Sequence, residues 1–309
     1  MKIIYFLSPT FDYGTVIYPG VGPHYARSFD WETAGLDMLS QTACDVGIID
    51  NRLTTEDFAT LDRELRAPNR RFPVLFKLTD PEAPNYRDPG TRYMFSQRDA
   101  PNIHYISVYD PEGPLREFVL SLRSSRVFRL PFPYNAACEL EKDFAARRRR
   151  ILLSGAQRRD YYPLRHRLRR RRRFDPLARL AVSELPHPGY ADIGQTLKHN
   201  LIFQRFIAHS AGFTHLFLCP TRYRVELMKY VECAYAGCVP IGQLPRSLEA
   251  ELAGTLISWS GTTRELIGEL CIDRPAMAER AARYRTVMRR LRDPVELLRS
   301  FQSALRAQI

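Results

Sequence analysis

Residues 130–155 read LPFPYNAACELEKDFAARRRRILLSG. Pro131 and Pro133 cannot donate to a strand ladder, so they mark the end of a sheet. A charged segment follows, expected as a helix ending in Arg147 to Arg150, and then ILLSG (151–155) starts a strand again. A short apolar run closed by a glycine is the pattern of a strand buried on both faces of a parallel sheet. The chain therefore starts over near residue 150, and the two sides of that point read alike. Upstream, KIIYFLS (2–8), VGIID (46–50), VLFKLT (74–79), HYISVYD (104–110) and residues 126–130 read as strands. Helices are expected between them at 32–43, from Thr54 or Thr55 to Arg66, and from Pro114 to Leu122. Downstream, LAVSE (180–184), HLFLC (215–219), CVPIG (238–242) and TLISW (255–259) continue the strand series. Their helices are expected from Pro163, over 193–208, over 223–236, and as two tail helices across 275–308 separated at Pro294. Strand–helix alternation implies right-handed βαβ units. The expected class is α/β, with two Rossmann-like, doubly wound parallel-sheet domains facing a cleft. Their bounds are 1–135 and 150–285, with a C-terminal helix at 286–309 packing back on the first domain.

A chain of 309 residues has room for two such domains. Its apolar and charged fractions, 45% and 26%, exclude disorder, collagen-like repeats and coiled coil. The net charge of +12 and pI of about 9.6 favour nucleic acid, phosphate-bearing ligands or anionic membrane surfaces as partners. Lysine occurs only at Lys2, Lys77, Lys142, Lys198 and Lys229, so arginine carries the charge, a bias that a GC-rich genome also produces. The apolar start, Met1 to Ser8, is too short for a signal peptide or a membrane span. The expected location is the cytoplasm, with peripheral contact at the inner face of the membrane as an alternative use of the basic surface. Six cysteines form no CxxC pair and read as buried small apolar residues.

Several chemistries lose their motif. There is no Asp-x-Asp to hold a divalent cation, no phosphate loop, no HExxH and no GxSxG. Gly20-Val21-Gly22 begins a dinucleotide fingerprint, but Tyr25 stands where the third glycine is needed. No metal and no cofactor is therefore expected. The run from Arg165 to Arg173 reads first as the solvated face of a helix covering the second sheet. Its other readings are acidic lipid or acceptor contact and, less favoured for want of interleaved aromatics, nucleic acid.

The stretch His215 to Gly242, HLFLCPTRYRVELMKYVECAYAGCVPIG, carries the chemistry. A buried strand ends at Cys219-Pro220, and a loop with Arg222 and Arg224 follows at the carboxyl end of that strand, where open parallel sheets bind ligands. Val225, Met228, Glu232 and Tyr235 form a stripe on the expected helix, so Glu232 is a carboxylate on a buried face. Such a group needs a partner. Two remain open: a ligand diol whose two hydroxyls it accepts, or Lys229 three residues earlier.

The same stretch resembles the donor-binding half of glycosyltransferases of the two-Rossmann GT-B architecture. A Cys-Pro loop, a basic residue, an E-x-x-x-x-G segment (Glu232 to Gly237) and a CVP strand are similar to the exostosin-like pattern. ILLSGAQRRDYYPLR (151–165) resembles the first strand and helix of the donor domain in bacterial spore-protein-like glycosyltransferases. Thr221-Arg222-Tyr223 departs from the usual serine or glycine after Cys-Pro. The resemblance implies a nucleotide-diphosphate sugar donor, UDP- or GDP-linked, bound by the C-terminal domain. Glu232 would hold the ribose, Arg158, Arg222, Arg224 and Lys229 the diphosphate, and Gly155 would admit the backbone to it. Positive side chains and helix dipoles would neutralise the leaving group without metal. His187 and Tyr190, in HPGY, are placed beside the donor sugar or base, or in an ordinary turn.

An inverting transfer needs a general base for the acceptor hydroxyl. Asp12, just past the first strand, is the first choice, with His24 and Asp30 in the same loop as alternatives. The acceptor is an open choice among a glycan, a lipid-linked sugar and a protein. A chain that keeps the fold without catalysis, and a nucleic-acid binder using the arginine helix, are the competing readings.

Overall fold

The first sheet ends where the prolines begin. The computed structural model describes residues 1–13, 22–78, 88–189 and 196–309. Its first six strands are β1 (Ile3–Leu7), β2 (Glu32–Gly35), β3 (Val46–Ile49), β4 (Val74–Lys77), β5 (Ile103–Ser107) and β6 (Val127–Arg129). They pair in parallel in the order β2-β1-β3-β4-β5-β6. The helices between them are α1 (Pro23–Ser28), α2 (Asp57–Arg66), α3 (Pro89–Ser96) and α4 (Pro114–Ser121). Central strands β1, β3 and β4 are apolar almost throughout because both faces are covered. Phe6, Ile49, Phe76 and Tyr105 meet Leu61 of α2, Met94 of α3 and Leu115 of α4 in one core.

The second sheet is built from β7 (Arg148–Ser154), β8 (Val182–Leu185), β9 (Phe213–Leu218), β10 (Val239–Gly242) and β11 (Ile257–Ser258). Its order is β11-β10-β9-β7-β8, again all parallel. Its helices are α5 (Pro163–Phe174), α6 (Pro176–Ala181), α7 (Gln204–Ser210), α8 (Lys229–Ala236), α9 (Thr263–Cys271) and α10 (Arg274–Leu291). Ile151, Leu153, Phe217 and Ile241 pack with Leu168 of α5, Leu266 of α9 and Trp259. From β7 the chain goes to β8 on one side and then to β9 on the other. Successive connections leave in opposite directions there, so the carboxyl ends of β7 and β9 border a crevice.

The chain divides into two units, Met1–Pro133 with Arg292–Ile309, and Tyr134–Leu291. The segment returning to the first unit begins at Arg292 rather than 286, because α10 runs unbroken through 286 to Leu291. Helix α11 (Pro294–Gln308) then opens with Pro294 and the Asp293 cap, and its Phe301 reaches Trp31 and Phe128, both with ring centroids 6.3 Å away.

Several local expectations are corrected. The helix expected at 32–43 is instead β2 plus a 3-10 turn, Leu36–Gln41, because Glu32–Gly35 completes the open edge of β1. Arg148 to Arg150 do not end a helix but begin β7, where the Arg148 guanidinium lies 3.9 Å from the Phe213 ring centroid. The helix expected over 193–208 starts only at Gln204, after Phe203 at φ 37°; residues 190–195 lie outside the described residues. Helices α1, α3 and α6 are not anticipated. Cys219, Cys233 and Cys238 are buried as expected, but Cys44 and Cys138 are half-buried and Cys271 is exposed.

Candidate functional site

At the carboxyl end of β7 the backbone turns through Gly155 at φ 90°. A Cβ there would lie 3.1 Å from Arg165 Nη1 and 3.1 Å from Lys229 Cε. A glycine keeps the backbone open where two cationic side chains converge. Arg165 sits in the first turn of α5 and is buried. Its guanidinium bridges the crevice, Nη1 donating to the Ala156 carbonyl (3.3 Å) and Nη2 to the Cys219 carbonyl (3.5 Å), with the Tyr162 ring centroid 4.4 Å away. Lys229 opens α8; its Nζ is 3.7 Å from Glu232 Oε2 and 3.8 Å from the Phe206 ring centroid. Lys229 is the only partner of the Glu232 carboxylate among the described residues.

Burial opposes both charges of this pair. Desolvation lowers Lys229 to about 8, against the raising influence of Glu232, and Arg165 adds to the lowering. Desolvation likewise raises Glu232, while Lys229 and Arg165 pull it down. The pair does not recover the hydration it gives up. The same two cations, after desolvation, hold His187 down to about 4, so its ring is neutral at pH 7. His187 follows β8, and its Nδ1 accepts from the Gly189 amide (3.0 Å).

The helix expected from Tyr223 starts at Lys229. Arg224 adopts φ 60°, and its carbonyl accepts from the Arg246 amide (3.1 Å) instead of from the next helical turn. Val225 and Met228 therefore precede the helix. The stripe argument is replaced by full burial, since Tyr230 through Ala236 are buried on every face. Glu232 lies in the first turn, where the helix dipole favours an anion. At the other end Gly237 takes the left-handed cap conformation, and Arg147 Nη1 donates to the Ala236 and Gly237 carbonyls (2.9 and 2.7 Å).

Gly155, His187, Lys229 and Glu232 are thus brought together. Arg158 is exposed and paired with Asp160 (2.8 Å), lying 4.6 Å from the Tyr161 ring centroid. Arg222 also lies over Tyr161, 5.1 Å away, and its amide donates to the Tyr161 carbonyl (2.8 Å). The Arg224 guanidinium is instead held by Glu249 and the Leu244 carbonyl. Tyr190 lies outside the described residues. In the first unit Asp12 is exposed past β1; His24 is on α1, its Nδ1 3.3 Å from Arg27 Nη2; Asp30 is a left-handed turn residue after α1. Partial desolvation of the His24 ring, with Arg27 beside it, keeps that group below its ordinary value.

Sequence reasoning missed three features. Arg165 was hidden in a run of arginines, and only its position at the start of an amphipathic helix, three residues before buried Leu168, sets it apart. Ser154 Oγ and both amide atoms of Gln157 are buried without hydrogen-bond partners at the end of β7, directly beside the crevice. Asp50, directly after β3, gathers donors from β1 and from Tyr13 and Gly22. It accepts from Tyr13 Oη (3.2 Å) and the Gly22 amide (3.3 Å), and also from Tyr5 Oη (2.5 Å). No group of three or more His, Cys, Asp or Glu side chains able to hold a metal occurs among the described residues.

The fold these units define is that of the GT-B glycosyltransferases, two Rossmann-like domains in one chain. The chain is similar to an alpha-glucosyltransferase solved with UDP, at a TM-score of 0.64 and 11% identity over 97% of this chain and 98% of that one. A UDP-forming alpha,alpha-trehalose-phosphate synthase from Burkholderia xenovorans aligns at 0.55 and 13% identity over 88% and 77%. HepE of Anabaena, solved with UDP-glucose, aligns at 0.53 and 13% identity over 99% and 100%. No protein-family model and no curated protein sequence matches the chain.

Proposed function

We propose that the protein is a metal-independent glycosyltransferase that moves a sugar from a nucleotide-diphosphate sugar to a hydroxyl acceptor. The observation that carries this reading is the convergence of Gly155, Arg165, Lys229 and Glu232 at the switch point of the second sheet. The two cations would face the donor diphosphate, with Gly155 letting it approach the backbone. Glu232 would accept both ribose hydroxyls, since a carboxylate offers more acceptor sites than Lys229 uses. Arg158 and Arg222, stacked about Tyr161, supply an outer cationic rim. Arg224 braces the loop through Glu249. His187, neutral beside the cations, would meet the donor sugar or base by hydrogen bonding.

In the reaction the bond between the sugar anomeric carbon and the diphosphate oxygen breaks. The acceptor oxygen bonds to the sugar, and the nucleoside diphosphate leaves with its charge balanced by Arg165 and Lys229. In an inverting transfer the acceptor proton passes to a base of the first unit, Asp12 first, then His24 or Asp30. The neighbours solved with UDP or UDP-glucose support a uridine donor. The acceptor is a glycan, lipid-linked or protein hydroxyl in bacterial glycan or glycoconjugate synthesis, and the location is cytoplasmic.

A thermal-shift panel of UDP- and GDP-sugars, followed by assay of released nucleoside diphosphate with and without chelator, tests the reading. One donor is expected to stabilise the protein saturably, and turnover is expected to survive chelation. Loss of turnover in chelator with recovery on magnesium or manganese would overturn the metal-independent chemistry. Stabilisation by no nucleotide sugar would overturn the donor site.

A further inference from the structure

The structure points to a second, non-catalytic surface: we propose that the α5–α6 corner docks the protein on anionic phospholipid bilayers. Three large apolar side chains at three-residue spacing stand in water there, Phe174 (71% exposed), Leu177 (58%) and Leu180 (70%). Of the eight large hydrophobics exposed among the described residues, these three fall within seven consecutive positions. Leaving them in water forgoes most of what burying a large apolar side chain returns. Scattered exposed apolar residues need no explanation, but a contiguous set with a charged rim marks an interaction site.

The rim identifies the partner. Arg169, Arg170, Arg173 and Arg179 are exposed on the same two helices as the apolar trio. Helix α5 carries seven arginines and no acidic residue. Glu184 takes up Arg169 and Arg172 (both 3.3 Å), which leaves Arg170, Arg173 and Arg179 facing solvent. The Arg173 guanidinium lies 5.5 Å from the Phe174 ring centroid, and Arg179 Nη2 donates to the Arg173 carbonyl (3.0 Å), so charge is fixed beside the apolar residues. Apolar side chains flanked by guanidiniums fit a bilayer interface, which buries the former among acyl chains and pairs the latter with lipid phosphate. A nucleic acid would use the arginines but would leave both leucines in water. Asp175, the single acid in the corner, is turned inward to cap α6 through the Leu177 and Ala178 amides. The surface lies on the face of the second unit formed by α5 and α6. It would hold an enzyme acting on membrane-linked acceptors at its substrate, but docking does not require that reading of function.

The test is sedimentation of the full chain with vesicles of phosphatidylcholine alone or mixed with phosphatidylglycerol. Partition is expected only onto the mixed vesicles. Each arginine near an anionic surface contributes roughly fivefold, so Arg170→Gln, Arg173→Gln and Arg179→Gln together should cost about a hundredfold. Phe174→Ser, Leu177→Ser and Leu180→Ser together should cost at least about tenfold, with donor thermal shift and circular dichroism unchanged. Because Trp31 and Trp259 are buried, Phe174→Trp adds the one exposed indole, whose emission should shift blue on mixed vesicles. Absence of wild-type partition, or a serine variant that binds as well as wild type, would overturn the proposal. Binding of duplex DNA in place of vesicles, lost in the arginine variant and kept in the serine variant, would assign the surface to nucleic acid instead.

Discussion

Each unit buries one lysine beside one carboxylate at the carboxyl end of its sheet, and the two pairs are differently employed. In the first unit Lys77 Nζ lies 3.8 Å from Asp50 Oδ1; in the second Lys229 Nζ lies 3.7 Å from Glu232 Oε2. Desolvation lowers both lysines to about 8. The difference is in the carboxylates. Asp50 also accepts from Tyr5, Tyr13 and the amides of Gly22 and Arg52, so its acceptor capacity is committed to the fold. Glu232 has only Lys229 among the described residues. The acceptor capacity of Asp50 is taken up by its own chain, whereas Glu232 keeps acceptor sites that Lys229 does not use, and the proposed donor role rests on that difference.

The largest expected effect falls on the saturated pair. Asp50→Ala leaves Lys77 buried without its counter-charge and frees Tyr13 and Gly22, and should cost about 3–5 kcal/mol of stability. Urea denaturation measures this; in the folded fraction donor affinity should be unchanged. A variant as stable as wild type would erase the contrast between the pairs. The next effect falls on Glu232. Glu232→Gln keeps the shape but weakens acceptance of two hydroxyls, and donor affinity by calorimetry should fall about ten- to a hundredfold. If it lowered the melting temperature and left affinity alone, Glu232 would be structural too.

The smallest effect concerns protons. Lys229 titrates near 8 without ligand, and a bound diphosphate would raise that value, so binding takes up a proton above pH 8. Affinity for a UDP-sugar, which does not itself titrate in this range, should be full below pH 8. It should fall by up to about tenfold per unit above it. Lys229→Arg should flatten the profile. For folding the sign is opposite: a lysine whose value is lowered from its ordinary 10.5 penalises the native state below about pH 8, and the penalty is relieved as pH rises from 8 to 10.5.

The strand series was legible because buried parallel strands are short apolar runs whose local pattern matches their setting, as at ILLSG and HLFLC. The restart at Ile151 and the tail break at Pro294 were legible for the same local reason. What failed depended on distant chain. Glu32–Gly35 is a strand only because β1 offers an edge, and residues 223–228 are a loop because Arg224 is held by Glu249 and Arg246. In the site, Glu232 was visible as a carboxylate among apolar neighbours. Arg165 was not, since one buried arginine among the seven of a single helix has no local mark, and Asp50 looked like any residue ending a strand.

The first unit is discontinuous in sequence, and that orders its history in the cell. Tyr134–Leu291 is contiguous and can complete its core as soon as it has emerged from the ribosome. The N-terminal unit, although made first, must wait for Phe301 to reach Trp31 and Phe128. Until then β6, a sheet-edge strand, lacks the helix that packs against it, with an aromatic surface open to other chains. The half of the protein that appears first is the half that folds to completion last.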